Sequence, residues 1–166
     1  MSKTDANQES PTTGVKEILA GRLLALDLGQ KRVGLAVSDE LCITVRPLEA
    51  LHRTNWKQLL RAVRLVLESF DARALVIGLP LSLDGAEGPA AKEARRLARN
   101  FELSLDMPVY LQDERLTSKE AEAELRAAGL QTDDLKTQVD SEAAAIILRD
   151  FIEKIRPADI GSQHSQ

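Results

Sequence analysis

The chain has 166 residues, 43% of them hydrophobic, enough for one domain around one core. No apolar run approaches the roughly 20 residues needed to cross a bilayer, and the polar start MSKTDANQESPTTG lacks the pattern of a secretory signal, so the expected location is the cytoplasm. A single cysteine, Cys42, excludes an internal disulfide and a cysteine-based zinc cluster; only two histidines, His52 and His164, and a net charge of −4 argue against a histidine-rich site and against coating DNA by charge alone.

Residues 1–18 and 156–166 are polar and without an apolar period, and are expected to be disordered, which leaves 19–155 as the folded domain. Arg22 to Leu28 (RLLALDL) and Val33 to Ser38 (VGLAVS) are apolar runs around Gly29-Gln30-Lys31-Arg32, the pattern of a strand, a tight turn and a returning strand. Ile43 to Leu51 continues as a third strand. Trp56, Leu59, Leu60, Val63, Leu67 and Phe70 then recur at helical spacing, with Lys57, Arg61 and Arg64 on the opposite face.

Ala74 to Leu79 (ALVIGL) is a buried-strand run ended by Pro80 and a glycine-containing loop. A second helix turns Ala90, Ala94, Leu97, Ala98 and Phe101 inward and Lys92, Arg95, Arg96 and Arg99 outward, and Pro108 to Gln112 (PVYLQ) forms another short strand. Thr117 and Glu120 have the spacing of a capping box, opening a helix that stops at Gly129. A last helix is predicted from about Val139 to Ile155. The order β-β-β-α-β-α-β-α-α predicts an α/β fold, a mixed sheet with helices on its faces.

Three acidic residues stand where a core would not choose them. Asp27 lies inside the first apolar strand, where a lone buried carboxylate costs several kcal/mol unless it is paired, protonated or bound to metal. Glu114 follows the PVYLQ strand, at the edge where α/β sheets place their sites, and Asp140 is read as opening the last helix. Taken singly, Asp140 reads more readily as an ordinary helix-start residue, and Glu114 equally as an ion-pair partner of Arg115. If the three converge, their repulsion calls for a divalent cation, and oxygen-only donors suit Mg²⁺ or Mn²⁺. A DLG strand also opens actin-like sugar kinases, but those need two such domains and far more chain.

Four blocks, ALDLGQKRVGLAVSD (Ala25 to Asp39), VIGLPLSLDGAEG (Val76 to Gly88), DERLTS (Asp113 to Ser118) and VDSEAAAIIL (Val139 to Leu148), together resemble the signature of the bacterial YqgF family. That family is described both as Holliday-junction-resolvase-like and as a pre-16S rRNA nuclease. The resemblance covers about residues 20–155. It implies a ribonuclease-H-like fold, a five-stranded sheet with three antiparallel strands followed by parallel ones, and a catalytic, metal-binding triad on Asp27, Glu114 and Asp140. It also implies that Lys31, Arg32, Arg115, Thr117 and Ser118 lie near the scissile phosphate. Of the neighbours Asp113 and Glu114 only one should point into the site, and Glu114 is preferred.

Two metal ions held by such a triad would activate a water and stabilise the leaving oxygen of a phosphodiester. Lys57, Arg61 and Arg64, with Arg46 and Arg53, offer a nucleic-acid track, although charged helix faces commonly serve only solvation. The leading expectation is a nuclease maturing the 5′ end of precursor 16S rRNA. The alternatives are a junction resolvase, which favours a homodimer because two symmetric cuts need two sites, and a noncatalytic RNA-binding factor in ribosome assembly or transcription.

Overall fold

A computed structural model describes residues 11–114 and 133–157. Arg115, Thr117, Ser118 and the helix expected to end at Gly129 lie outside the described residues. Five strands, β1 (Arg22–Leu28), β2 (Arg32–Ser38), β3 (Val45–His52), β4 (Ala72–Leu79) and β5 (Val109–Asp113), form one sheet in the order β3-β2-β1-β4-β5. The pairs β1–β2 and β2–β3 are antiparallel, whereas β1–β4 and β4–β5 are parallel. This is the ribonuclease-H-like arrangement implied by the resemblance.

The period of two along each strand sorts the side chains into two cores. Leu24 and Leu26 of β1, Val33, Leu35 and Val37 of β2, and Leu75 and Ile77 of β4 meet the buried stripes of α2 (Trp56–Phe70) and α3 (Pro89–Ser104). On the other face Leu23, Ala25, Ala36, Ala74 and Val76 meet Ala144, Ala145, Ile147, Leu148 and Phe151 of α4 (Asp133–Ile155). Helix α2 begins where Asn55 accepts a hydrogen bond from the Gln58 N–H at 2.9 Å, and ends at Asp71, whose left-handed backbone (φ 50°) returns its N–H to Glu68 and Leu67.

Two elements depart from the sequence reading. Pro11–Ile18, placed there in a disordered extension, forms a short helix, α1, and the chain after it is drawn in because Ile18 and Leu19 pack on the α4-side core. Helix α4 begins at Asp133 rather than near Val139. Asp140 is therefore eight residues into the helix, and its reading as an N-terminal residue is corrected. The apolar stripe from Ala143 onward marks where the helix meets the sheet, which is not where it starts.

Because β1, β4 and β5 run parallel, Leu28, Leu79 and Asp113 end at one edge of the sheet. The β1–β2 turn and the end of β3 share that edge, since Arg32 pairs with His52. α4 crosses the sheet toward the opposite edge, where Arg156 donates to the Cys42 carbonyl at 2.5 Å and Arg149 to that of Val45 at 3.4 Å.

Candidate active site

Alternation along β1 puts Asp27 on the same face as Leu23 and Ala25, beneath α4. Its partner in the antiparallel ladder is Gly34 of β2. A Cβ on Gly34 would collide with the backbone of Asp140 and Ser141, so the absence of a side chain there lets α4 rest directly on the sheet. Asp140 is thereby brought over the residue paired with Asp27.

The strand on the other side of β1 is cleared in the same way. A Cβ on Gly78 of β4 would lie 2.7 Å from Oε2 of Glu114 and 2.6 Å from Cδ1 of Ile147. Glu114 reaches this position because its N–H donates to the Leu79 carbonyl at 3.1 Å, carrying the β4–β5 pairing one residue past the strand. Val109 and Leu111 pack on the α2–α3 side and Tyr110 on the α4 side, so alternation turns Glu114, not Asp113, under α4.

Glu114 is 8% exposed. Burial, followed by the negative charges of Asp27 and Asp113, pushes its carboxyl up from 4.5 to about 8. The field of Asp27 at Glu114 marks the two as neighbours. Asp140 meets a cation instead: Arg32 Nε stands 3.2 Å from its Oδ2, in a pair that is partly exposed. Lys31 is exposed on the adjoining turn.

Among the described residues no three acidic, histidine or cysteine side chains are arranged to hold a metal ion as they stand. The donor chemistry at Asp27 and Glu114 nevertheless suits a hard divalent cation: two neighbouring carboxylates, one pushed toward neutrality by its burial and then by the charge of the other, would be relieved by a positive charge between them. The backbone of Asp140 rests over Gly34, the strand partner of Asp27, and its carboxylate is paired with Arg32.

The basic residues divide. Lys57 and Arg61 are exposed on α2, which covers the face of the sheet opposite Asp27. Arg64 donates to the Ser104 carbonyl at 3.0 Å at the end of α3, and the Arg46 guanidinium sits 5.2 Å from the centre of the Phe70 ring. Arg53 grips the β1–β2 turn and Glu93 of α3, a contact between residues 40 apart that no local pattern announces. Ser141, buried beside Asp140, was also unmarked in the sequence; no hydrogen bond is recorded for its hydroxyl among the described residues.

A mixed sheet in this order, with acidic residues at one edge beneath the crossing helix α4, defines a protein of the ribonuclease-H-like class. The chain belongs to the RuvX family, the YqgF family of the sequence resemblance: the family model, described as Holliday junction resolvase, matches residues 21–154. A relative from Anaeromyxobacter dehalogenans (strain 2CP-C), named "Putative pre-16S rRNA nuclease", is 44% identical over 136 residues, covering 82% of this chain and 99% of its own length. One of the same name from Koribacter versatilis (strain Ellin345) is 42% identical over 134 residues, covering 81% and 88%. Among solved structures, Thermus thermophilus RuvC in complex with a Holliday junction overlaps 81% of this chain and 96% of its own, with 18% identity and a TM-score of 0.48. No helix among the described residues is long and apolar enough to cross a membrane.

Proposed function

We propose that this chain is a divalent-metal-dependent nuclease that hydrolyses phosphodiester bonds in structured RNA and trims the 5′ end of precursor 16S rRNA in the cytoplasm. The observation that carries this reading is the proximity of Asp27 to the buried carboxyl of Glu114 at the sheet edge where β1, β4 and β5 end, beneath the helix that carries Asp140. Support for the substrate comes from the names of relatives that match at 44% and 42% identity over four fifths of the chain.

Asp27 and Glu114 would hold Mg²⁺ or Mn²⁺, joined by Asp140 when Arg32 turns from it to a phosphate oxygen. Bound there, the metal supplies an activated water and stabilises the charge on the leaving oxygen. The residues of the chain supply the rest. Burial of Glu114 excludes bulk water from one side of the site, and the β1–β2 turn presents Lys31 and Arg32 to the phosphate. Arg115, Thr117 and Ser118 are assigned to the same phosphate by the family resemblance alone.

The test is single-turnover cleavage of precursor 16S rRNA, single-stranded RNA and a four-way DNA junction, with and without Mg²⁺, using Asp27→Asn as the control. The reading predicts metal-dependent cutting of precursor rRNA, fastest of the three. The family description favours one rival, a homodimeric resolvase, and faster symmetric cutting of the junction would transfer the assignment to it. Binding without cutting in every case would leave the noncatalytic RNA-binding factor.

A further inference from the structure

The turn that follows Asp27 carries Lys31 and Arg32, yet part of what holds it comes from outside the two strands it joins. Arg53, one residue past β3, donates from Nη1 to the Gly29 carbonyl at 2.9 Å, and its backbone N–H donates to the Lys31 carbonyl at 2.8 Å. Its Nη2 is paired with Glu93 near the start of α3. Arg96, one turn further along α3, stands 3.8 Å from the same carboxylate. The Arg53 side chain is only 16% exposed, unlike the solvated cations of α2.

A guanidinium suits this place because its planar fork serves two acceptors in fixed directions, whereas an ammonium on a flexible stem does not fix two directions at once. The chain of contacts runs from α3 through Glu93 and Arg53 to both ends of the turn. A turn secured only by its two strands would be free to tilt about the sheet edge, and a misplacement of about 1 Å at a reacting phosphate costs roughly a hundredfold in rate.

We propose that Arg53, backed by Glu93, is a positioning residue that fixes the Gly29–Arg32 turn so that Lys31 and Arg32 meet the phosphate at a set distance from Asp27. This rests on the nuclease reading for its purpose, though not for its geometry. Two readouts on the full-length chain test it.

The first is hydrogen exchange of the turn amides without nucleic acid. Because Arg53 holds the Gly29 carbonyl with a charged donor, Arg53→Gln should speed exchange at residues 29–32 by about tenfold or more while amides in the middle of β1 and β4 keep their protection. The second is single-turnover cleavage at saturating RNA. Arg53→Gln should slow it by roughly ten- to a hundredfold with substrate affinity little changed, Arg53→Lys and Glu93→Gln by less. In a Lys31→Ala, Arg32→Ala background, Arg53→Gln should add no further loss, because the cations it positions are gone. Wild-type exchange at the turn, or an equal loss in both backgrounds, overturns the proposal. If Arg53→Gln fails to fold, Arg53→Lys and Glu93→Gln carry the same two readouts. If the wild-type chain cuts no faster than Asp27→Asn, the nuclease reading has failed, and turn exchange alone decides whether the clamp exists.

Discussion

The two faces of the sheet are built from different residues. Toward α2 and α3 the strands present Leu24, Leu26, Leu35, Leu75 and Ile77, all buried, and the two helices answer with side chains as large as Phe101. Toward α4 they interleave small residues, Ala25, Gly34, Ala36, Ala74 and Gly78, with Leu23, Val76 and the carboxylate of Asp27, and α4 answers with Ala144 and Ala145 beside Ile147, Leu148 and Phe151. Large side chains hold helices at a distance and contribute about 1.5–3 kcal/mol each by burial, whereas small ones let backbone meet backbone. One face is a core; the other trades part of its core for the close approach that sets Asp140 over the strand next to Asp27.

The largest effect expected from this division is on catalysis. Asp27→Asn and Glu114→Gln should each slow cleavage by about a thousandfold or more while the chain stays folded, if the proposed metal pair is right, since losing a metal ligand removes several kcal/mol of transition-state stabilisation. Asp140→Asn should do the same if its charge moves from Arg32 to the site during turnover. Wild-type single-turnover rates in any of the three would strike that residue from the catalytic set.

Stability comes next. Leu26→Ala, on the large-residue face, should cost about 2–5 kcal/mol in urea unfolding and leave Mn²⁺ affinity unchanged in the folded fraction. Gly34→Ala should cost at least about 3 kcal/mol, because the new methyl meets the α4 backbone instead of a side chain that can turn away, and any protein that folds should have a displaced Asp140 and weakened metal affinity. If both substitutions lowered metal affinity in proportion to stability, the division between the faces would be lost.

A smaller effect concerns pH. The carboxyl of Glu114 titrates near 8 in the folded protein, above its ordinary 4.5, so the folded state retains a proton that the unfolded chain releases. Stability of the metal-free protein should therefore fall as pH rises from about 4.5 to about 8, and Glu114→Gln should flatten that fall and raise the melting temperature at pH 8. A melting temperature with the same pH dependence in wild type and variant would remove Glu114 as its source. The smallest effect belongs to the outer surface of α2. Lys57→Ala with Arg61→Ala should reduce the salt dependence of RNA binding by up to about two units of log–log slope, and Arg64→Ala by less, because Arg64 already serves Ser104. An unchanged slope in the double variant would make that face merely solvated.

Much of this contrast was legible in the sequence. Asp27 announced itself in RLLALDL by the cost of a carboxylate inside an apolar strand, and the period of three and four marked the inner stripe of α2. What could not be read depended on partners distant in the chain. Helix α4 extends upstream of Val139 with no apolar stripe to mark the extension, so Asp140 passed for a helix-start residue. Pro11–Ile18 contains Pro, Thr and Gly, and the residues that draw it in, Ile18 and Leu19, find their core only in three dimensions. Arg46, Arg53 and Arg64 looked alike as members of a basic track, and only the fold separates an aromatic stack, a clamp on the turn and a contact at the end of α3. The choice between Asp113 and Glu114 followed once the strand register was known.

The central claim is that Asp27 and Glu114 together form a metal-binding pair. Calorimetric titration of the metal-free chain with Mn²⁺ at pH 8 tests it most directly, because it needs no substrate and no turnover. Wild type should bind, and affinity should fall by about tenfold or more in Asp27→Asn and again in Glu114→Gln, while Lys57→Ala binds as wild type does. Equal Mn²⁺ affinity in wild type, Asp27→Asn and Glu114→Gln would contradict the account.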